Sequence, residues 1–250
     1  MEYITTAAIV AFVIIVLSGF TQGFVGFGYS QIVLPVVAFF YEPKLVVPIL
    51  LMHSVILNMM ILWDARKHIN MKIVYPLILT AIPGLPVGTY LLLWADANIM
   101  KIIIGILIVL SSLMVLYGLK IKIKREKLAT LPVGFTSGLL NSSTTMSGPP
   151  VILFYSNQGI PKETFRACLA AYFLSLNIIT LPFHIWKGLI NSKALLFSSV
   201  TLPLMMLGVF IGIKVSKKIQ DELFQKIALI ILIAVGVMSI LSGTIMMANK

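Results

Sequence analysis

The apolar run that opens the chain is interrupted at Gly19-Phe20-Thr21-Gln22-Gly23-Phe24-Val25-Gly26-Phe27-Gly28-Tyr29-Ser30-Gln31, where four glycines and several uncharged hydrogen-bonding side chains break the aliphatic pattern. Each interior glycine costs a helix about 1 kcal/mol relative to alanine. In lipid, any backbone group freed by such a break must be met by protein or by a water-lined cavity. An interruption of this kind at membrane depth therefore points to a binding site. The rest of the chain does demand a membrane. Of its 250 residues, 59% are hydrophobic and only 11% charged, and the mean hydropathy is +1.04, which leaves too little polar surface for a water-soluble globule.

The same signature returns at Gly134-Phe135-Thr136-Ser137-Gly138-Leu139-Leu140-Asn141-Ser142-Ser143-Thr144-Thr145-Met146-Ser147-Gly148-Pro149-Pro150. Gly-Phe-Thr-x-Gly opens both copies, and later landmarks recur in the same order. Asn58 pairs with Asn177, Asn70 and Lys72 with Asn191 and Lys193, Gly84 and Gly88 with Gly208 and Gly212, and Asp96 and Lys101 with Asp221 and Lys226. The separation drifts only from 115 to 125 positions, as small loop insertions would give. The chain reads as two repeats, residues 1–119 and 128–250, joined by a basic connector at 120–127. Transporters built this way place their sites at discontinuous helices on the repeat interface. The competing reading is that small residues only let helices pack closely.

Taken in order, the first repeat comprises apolar segments at 4–20, 29–41, 45–63, 73–93 and 99–119. The second comprises 128–140, a short arm near 148–157, then 163–186, 192–213 and 223–247, with Gly159 and Pro161 as a turn in the connector 157–162. An arm of about 13 residues reaches about 20 Å, short of the roughly 30 Å hydrocarbon core. The expected fold is thus an all-α polytopic membrane protein of two inverted repeats, about five helical segments each, with broken or re-entrant helix pairs near 19–31 and 134–150. Pro83-Gly84-Leu85-Pro86 predicts a kink in the fourth segment.

The net charge of +11 does not indicate nucleic acid, because the basic residues sit in short connections between apolar runs. They instead set orientation. With Lys120, Lys122, Lys124, Arg125 and Lys127 inside the cell, an inverted arrangement puts 14 of the 19 Lys and Arg inside, counting Lys162 and Arg166 as connection residues. Both termini then lie outside. A parallel arrangement would move Lys214, Lys217 and Lys218 outside. Met1-Glu2-Tyr3 lacks the basic start of a secretory signal, and the single cysteine, Cys168, reads as a buried small hydrophobe.

Return arms that begin near Tyr29 and Gly148 would bring two helix N-termini to the protein centre, where unpaired N–H groups and the macrodipole favour an anion. The candidate substrate-binding residues are Thr21, Gln22, Gly26, Gly28, Ser30, Gln31 and Asn58 in the first repeat. Asn141, Ser142, Ser143, Thr144, Thr145, Ser147, Gly148 and Asn177 are their counterparts in the second. Neutral donors favour release, whereas an anion locked to buried arginine leaves slowly. Polar groups at membrane depth face the bundle interior. Asn58 and Asn177 are therefore read equally as interhelical bonds or substrate contacts. His53 is a candidate coupling residue because imidazole titrates near neutral pH; a satisfied structural histidine is the other reading. His184 is placed near the outer interface.

No P-loop appears, the three histidines have no metal-ligand spacing, and the glycines of 23–28 lack the strand–turn–helix context of a dinucleotide site. No enzyme, cofactor or metal is expected. The partners are a small anion, the bilayer, and a coupling proton or cation.

The two breaks, with Arg166-Ala167-Cys168 and Asn177 downstream, resemble the TauE/SafE sulfite exporter family over essentially the whole chain. The resemblance implies a multi-pass secondary transporter of the cell membrane, moving sulfite, sulfoacetate or related organosulfonates. Asn141-Ser142-Ser143-Thr144-Thr145 departs from the more glycine-rich form of the family's second break. An anion channel and a non-transporting assembly or sensor subunit are the alternatives.

Overall fold

The computed structural model describes residues 2–38, 40–96, 126–158 and 160–216, with scattered positions between 99 and 113 and between 233 and 244. The segments expected at 99–119 and 223–247, the landmarks Lys101, Asp221 and Lys226, most of the connector 120–127, and Gly159 lie outside this set. Among the described residues all regular structure is helical: α1 Glu2–Val25, α2 Tyr29–Val37, α3 Pro43–Ala65, α4 Met71–Ala81, α5 Gly84–Trp94, α6 Glu126–Thr144, α7 Gly148–Asn157, α8 Lys162–Trp186 and α9 Ser192–Ser216, with a single 3₁₀ turn at Arg66–His68.

Local chemistry starts these helices where the sequence suggests. Pro43 occupies the first turn of α3, where its fixed φ and missing N–H cost nothing. Asn70 caps α4, its Oδ1 accepting the Lys72 N–H at 3.1 Å. Asn191 does the same for α9, accepting from the Ala194 N–H at 2.9 Å. Two landmarks of the sequence repeat are therefore helix caps. The α3, α8 and α9 segments are long and apolar enough to cross a membrane, and α4 with α5 forms an apolar pair bent by 49° at the break before Gly84, the geometry of a broken span or a re-entrant loop. All three tryptophans, Trp63, Trp94 and Trp186, are exposed at the ends of α3, α5 and α8, where an amphipathic ring suits the membrane–water interface.

The breaks are shorter than the sequence suggests. Helix α1 continues through Gly19 and Gly23, leaving only Gly26–Gly28 unwound, and α6 continues through Gly134, Gly138 and Asn141, leaving Thr145–Ser147. The upstream glycines serve close packing instead. A Cβ at Gly19 would stand 2.7 Å from the Met205 carbonyl oxygen of α9, and those at Gly208 and Gly212 would press on the carbonyls of Val16 and Phe20. A matching seam joins α6 to α4 and α5: Cβ atoms at Gly84, Gly88 and Gly138 would press on the carbonyls of Phe135, Leu139 and Ala81. The helix that carries each glycine motif thus packs on a helix from the other half of the chain, and α3 and α8 pack together.

Candidate functional site

Both breaks open with the same hydrogen-bonded turn. The Gly26 N–H donates to the Gln22 carbonyl at 2.8 Å, and the Thr145 N–H donates to the Asn141 carbonyl at 2.8 Å. Gly26 and Thr145 also share the left-handed conformation, at φ 96° and 58°. Gly28 follows at φ 111° and hands the chain to α2. Gln22 and Asn141, Gly26 and Thr145, and Asn58 and Asn177 all lie 119 positions apart. The Gly-Phe-Thr motifs, 115 apart, are about one helical turn out of this register. The pentapeptides announce the breaks without being structural equivalents.

The breaks meet. A cavity of about 30 Å³ is lined by seven residues before the connector (Gln22, Phe27, Gly28, Ser30, Gln31, Ser54 and Asn58) and seven after it (Asn141, Thr145, Met146, Ser147, Gly148, Phe173 and Asn177). No charged side chain lines it. A Cβ at Gly148 would lie 3.7 Å from the Gln31 Nε2, which brings the first turns of α2 and α7 side by side. Space on this scale holds about two waters or a compact ionic head group.

Hydrogen bonds fix the walls. Gln22 accepts the Tyr29 N–H on Oε1 at 2.9 Å and donates from Nε2 to Asn58 Oδ1 at 3.4 Å, while Asn58 Nδ2 donates to the Ser54 carbonyl at 2.7 Å. On the other side, Asn141 Nδ2 donates to Thr180 Oγ1 at 3.1 Å, and Ser137 Oγ donates to the Ser147 carbonyl at 2.7 Å. Asn177 is 2% exposed, yet its Oδ1 has no hydrogen-bond partner among the described residues.

Ten of the fifteen candidate substrate residues line this cavity: Gln22, Gly28, Ser30, Gln31, Asn58, Asn141, Thr145, Ser147, Gly148 and Asn177. Thr21, Gly26, Ser142, Ser143 and Thr144 do not. The hydroxyls of Thr21, Ser143 and Thr144 donate back to the carbonyls of Leu17, Leu139 and Leu140, four residues earlier in their own helices. Gly26 backs onto the Arg166 side chain. Ser142 shares a 2.5 Å hydroxyl bond with Thr89 of α5.

His53 sits apart from the polar cavity. Its Nε2–H donates to the Ser198 carbonyl at 3.1 Å, which leaves Nδ1 to accept the Tyr29 hydroxyl at 2.6 Å. It lies beside a larger apolar cavity of about 230 Å³, between α1, α2, α3 and α9. His184, expected near the outer interface, lies two residues before Trp186 at the end of α8 and is buried within the protein, its Nε2–H donating to the Ser142 carbonyl at 3.0 Å. Arg166 likewise leaves the connection to which the charge count assigned it. Only 2% exposed in the second turn of α8, it donates from Nη2 to the Gly23 carbonyl at 2.6 Å and faces Asp64 Oδ2 across 3.6 Å. Cys168 is buried, as expected, with its thiol against the Asn70 backbone.

A family model described as "Sulfite exporter TauE/SafE" matches residues 11–239. The chain belongs to the TauE/SafE sulfite exporter family. It is therefore a multi-pass membrane protein of a transporter family. Its sequence is also similar to the probable sulfite/organosulfonate exporter TauE of Cupriavidus necator, 21% identical over 174 residues and covering 68% of each chain. No solved structure matches it.

Four residues of this TauE/SafE cavity are absent from the sequence-derived set: Phe27, Ser54, Met146 and Phe173. Two of them carried a usable signal. Ser54 precedes Asn58 by four positions and Phe173 precedes Asn177 by four, so each shares a helix face with its asparagine. Phe27 and Met146 carry no polar signature and enter the lining because the three-residue breaks turn there.

Proposed function

We propose that this protein is a secondary transporter moving small anions, sulfite or an organosulfonate, across the cell membrane by alternating access. The observation that carries the reading is the uncharged polar cavity, built by equal numbers of residues from each half, at the meeting of the α2 and α7 N-termini. The N–H groups of Ser30 and Gln31 in the first turn of α2 and of Gly148 in α7, where Pro149 and Pro150 carry none and Gln22 already holds the Tyr29 N–H, attract an anion together with the positive ends of the two helix dipoles. Hydroxyl and amide groups complete its shell with no fixed counter-charge, so binding remains weak enough for release. The common separation of 119 positions across the cavity supports two repeats, 1–119 and 128–250, and the Lys and Arg count supports their inversion about a cytoplasmic connector at 120–127. Proteins of that plan expose a central site alternately by rocking one repeat against the other.

Helix α8 supplies a closure on each side of the site. Arg166 ties it to the last turn of α1 through the Gly23 carbonyl, and His184 ties it to the last turn of α6 through the Ser142 carbonyl. The two residues are 18 positions, about 27 Å, apart along the helix. Opening inward releases the first and opening outward the second. His53, through the Tyr29 hydroxyl at the head of α2, is the coupling residue of this scheme if the driving ion is a proton.

Proteoliposome flux of sulfite, sulfoacetate, taurine and thiosulfate tests the reading. Saturable uptake with counterflow is the expected result. Non-saturating flux without counterflow makes the protein a channel. Absence of flux for all four anions, together with no thermal stabilisation by any of them, returns it to an assembly or sensor subunit, since an anion at 100 times its dissociation constant should stabilise the fold by about 2.7 kcal/mol.

A further inference from the structure

We infer that Asn177 selects an anion that itself carries a hydrogen-bond donor, a singly protonated oxyanion or a sulfonate with an N–H or O–H group beside its charged head. The inference rests on the anion-site reading above and narrows its substrate class.

Asn58 and Asn177 face one cavity from equivalent positions, but only Asn58 is satisfied within the protein. Its Oδ1 accepts from Gln22 and its Nδ2 donates to Ser54. The group that would stand in for Gln22 in the second half is Asn141, which is one methylene shorter and donates to Thr180 instead. Asn177 lines the cavity, and its buried oxygen has nothing to accept from. An amide oxygen only accepts, so the N–H groups that draw an anion into the cavity find a partner in the anion while Asn177 Oδ1 does not. A fully deprotonated oxyanion would set its own lone pairs against that oxygen. A ligand bearing one donor satisfies the helix N-termini and Asn177 together. Turning the amide over exchanges Oδ1 and Nδ2 and leaves this side chain's acceptor still to be met.

Sulfamate and methanesulfonate test the assignment, because they are monoanions of nearly one shape that differ by an NH₂ group in place of CH₃. Calorimetric titration of the full-length protein in lipid nanodiscs should show sulfamate binding roughly 3–10-fold more tightly, the worth of one neutral hydrogen bond. In Asn177→Leu, or Asn177→Ala if the leucine variant does not fold, the two affinities should converge to within about twofold. Equal affinities in the unmutated protein overturn the inference while leaving the anion site standing. A sulfamate preference that survives in the variant overturns it by assigning the donor to another wall. A sodium requirement for binding that the Asn177 variant abolishes overturns it by placing a cation against Oδ1. If neither anion binds the unmutated protein, the anion site falls, and this inference with it.

Discussion

The two breaks share one turn and divide the chemistry. Gly26 and Thr145 make the same turn with the same hydrogen bond. Around the first break, Gln22, Asn58, Ser54 and Tyr29 form a closed set in which every amide group named has a partner. Around the second, Asn141 is diverted to Thr180 and Asn177 is left open. Backbone duplication gives the cavity its shape, and side-chain divergence gives it a direction. The first half is a wired wall, and the second is the half that a ligand completes.

The backbone half of that comparison breaks most visibly at the seams. Gly88→Leu and Gly212→Leu each place a side chain against backbone carbonyls, Leu139 in one seam and Phe20 in the other, and backbone cannot swing aside as a flexible side chain can. Both variants should lose the folded, monodisperse protein on size exclusion. Gly188→Ala, with nothing within 4 Å of the new Cβ but φ at 69°, should cost only about 1–2 kcal/mol. A leucine tolerated in one seam and not in the other would show that the two halves are not packed alike.

The α8 ties come next. Arg166→Ala removes the bond to the Gly23 carbonyl and leaves Asp64 without its facing guanidinium. A fully buried pair would cost about 3–5 kcal/mol on losing one partner. Asp64 is 21% exposed, so a cost of about 2–3 kcal/mol is expected. His184→Ala removes a neutral bond to Ser142 and should cost about 1 kcal/mol. Thermal unfolding followed by tryptophan fluorescence separates them. Equal losses would undo the asymmetry between a charged tie on one side and a neutral one on the other.

How much of this was legible in the sequence depends on which force placed each residue. Helix starts at Pro43, Asn70 and Asn191, and the bend at Pro83, follow from local backbone chemistry and could be read directly. The break limits could not. Gly19, Gly23, Gly134 and Gly138 carry the composition of a break, but tertiary packing against α9, α4 and α5 keeps them helical. The segment limits drawn from sequence leave breaks of eight and seven residues, 21–28 and 141–147, where three suffice in each. The polar cavity was legible because uncharged polar residues in an apolar run have few other uses at that depth. Arg166 was misplaced because its charge, counted near the start of an apolar segment, looked like a connection residue. Only the Gly23 carbonyl and Asp64, distant in sequence, show why a guanidinium is buried there.

Thr145 tests the equivalence of the two turns. A β-branched residue at φ 58° carries about 1–2 kcal/mol of strain that Gly26 avoids. Thr145→Gly should recover about 1 kcal/mol of stability while keeping the bond to the Asn141 carbonyl. The reverse change, Gly26→Ala, should be destabilising, since its Cβ would meet Arg166 Cγ at 3.0 Å in a conformation at φ 96°. A Thr145→Gly protein with lowered melting temperature would mean that the threonine side chain, whose hydroxyl donates to the Thr144 carbonyl, contributes more than its backbone costs.

The finest comparison sets Asn58→Ala against Asn177→Ala. Removing the Asn58 amide leaves the Gln22 Nε2 without its bond and the Ser54 carbonyl with its helix bond alone, so about 1–2 kcal/mol of stability should go, measured without ligand. Removing the Asn177 amide takes away a buried acceptor that has no partner, so unliganded stability should hold or rise by as much as about 1 kcal/mol. With sulfamate present, Asn177→Ala should lose about 0.5–1.5 kcal/mol of binding. The same amide at matched positions would then act as structure in one half and as recognition in the other. If both variants lose stability equally without ligand, Asn177 is held by the fold as Asn58 is, and the division between the two halves disappears.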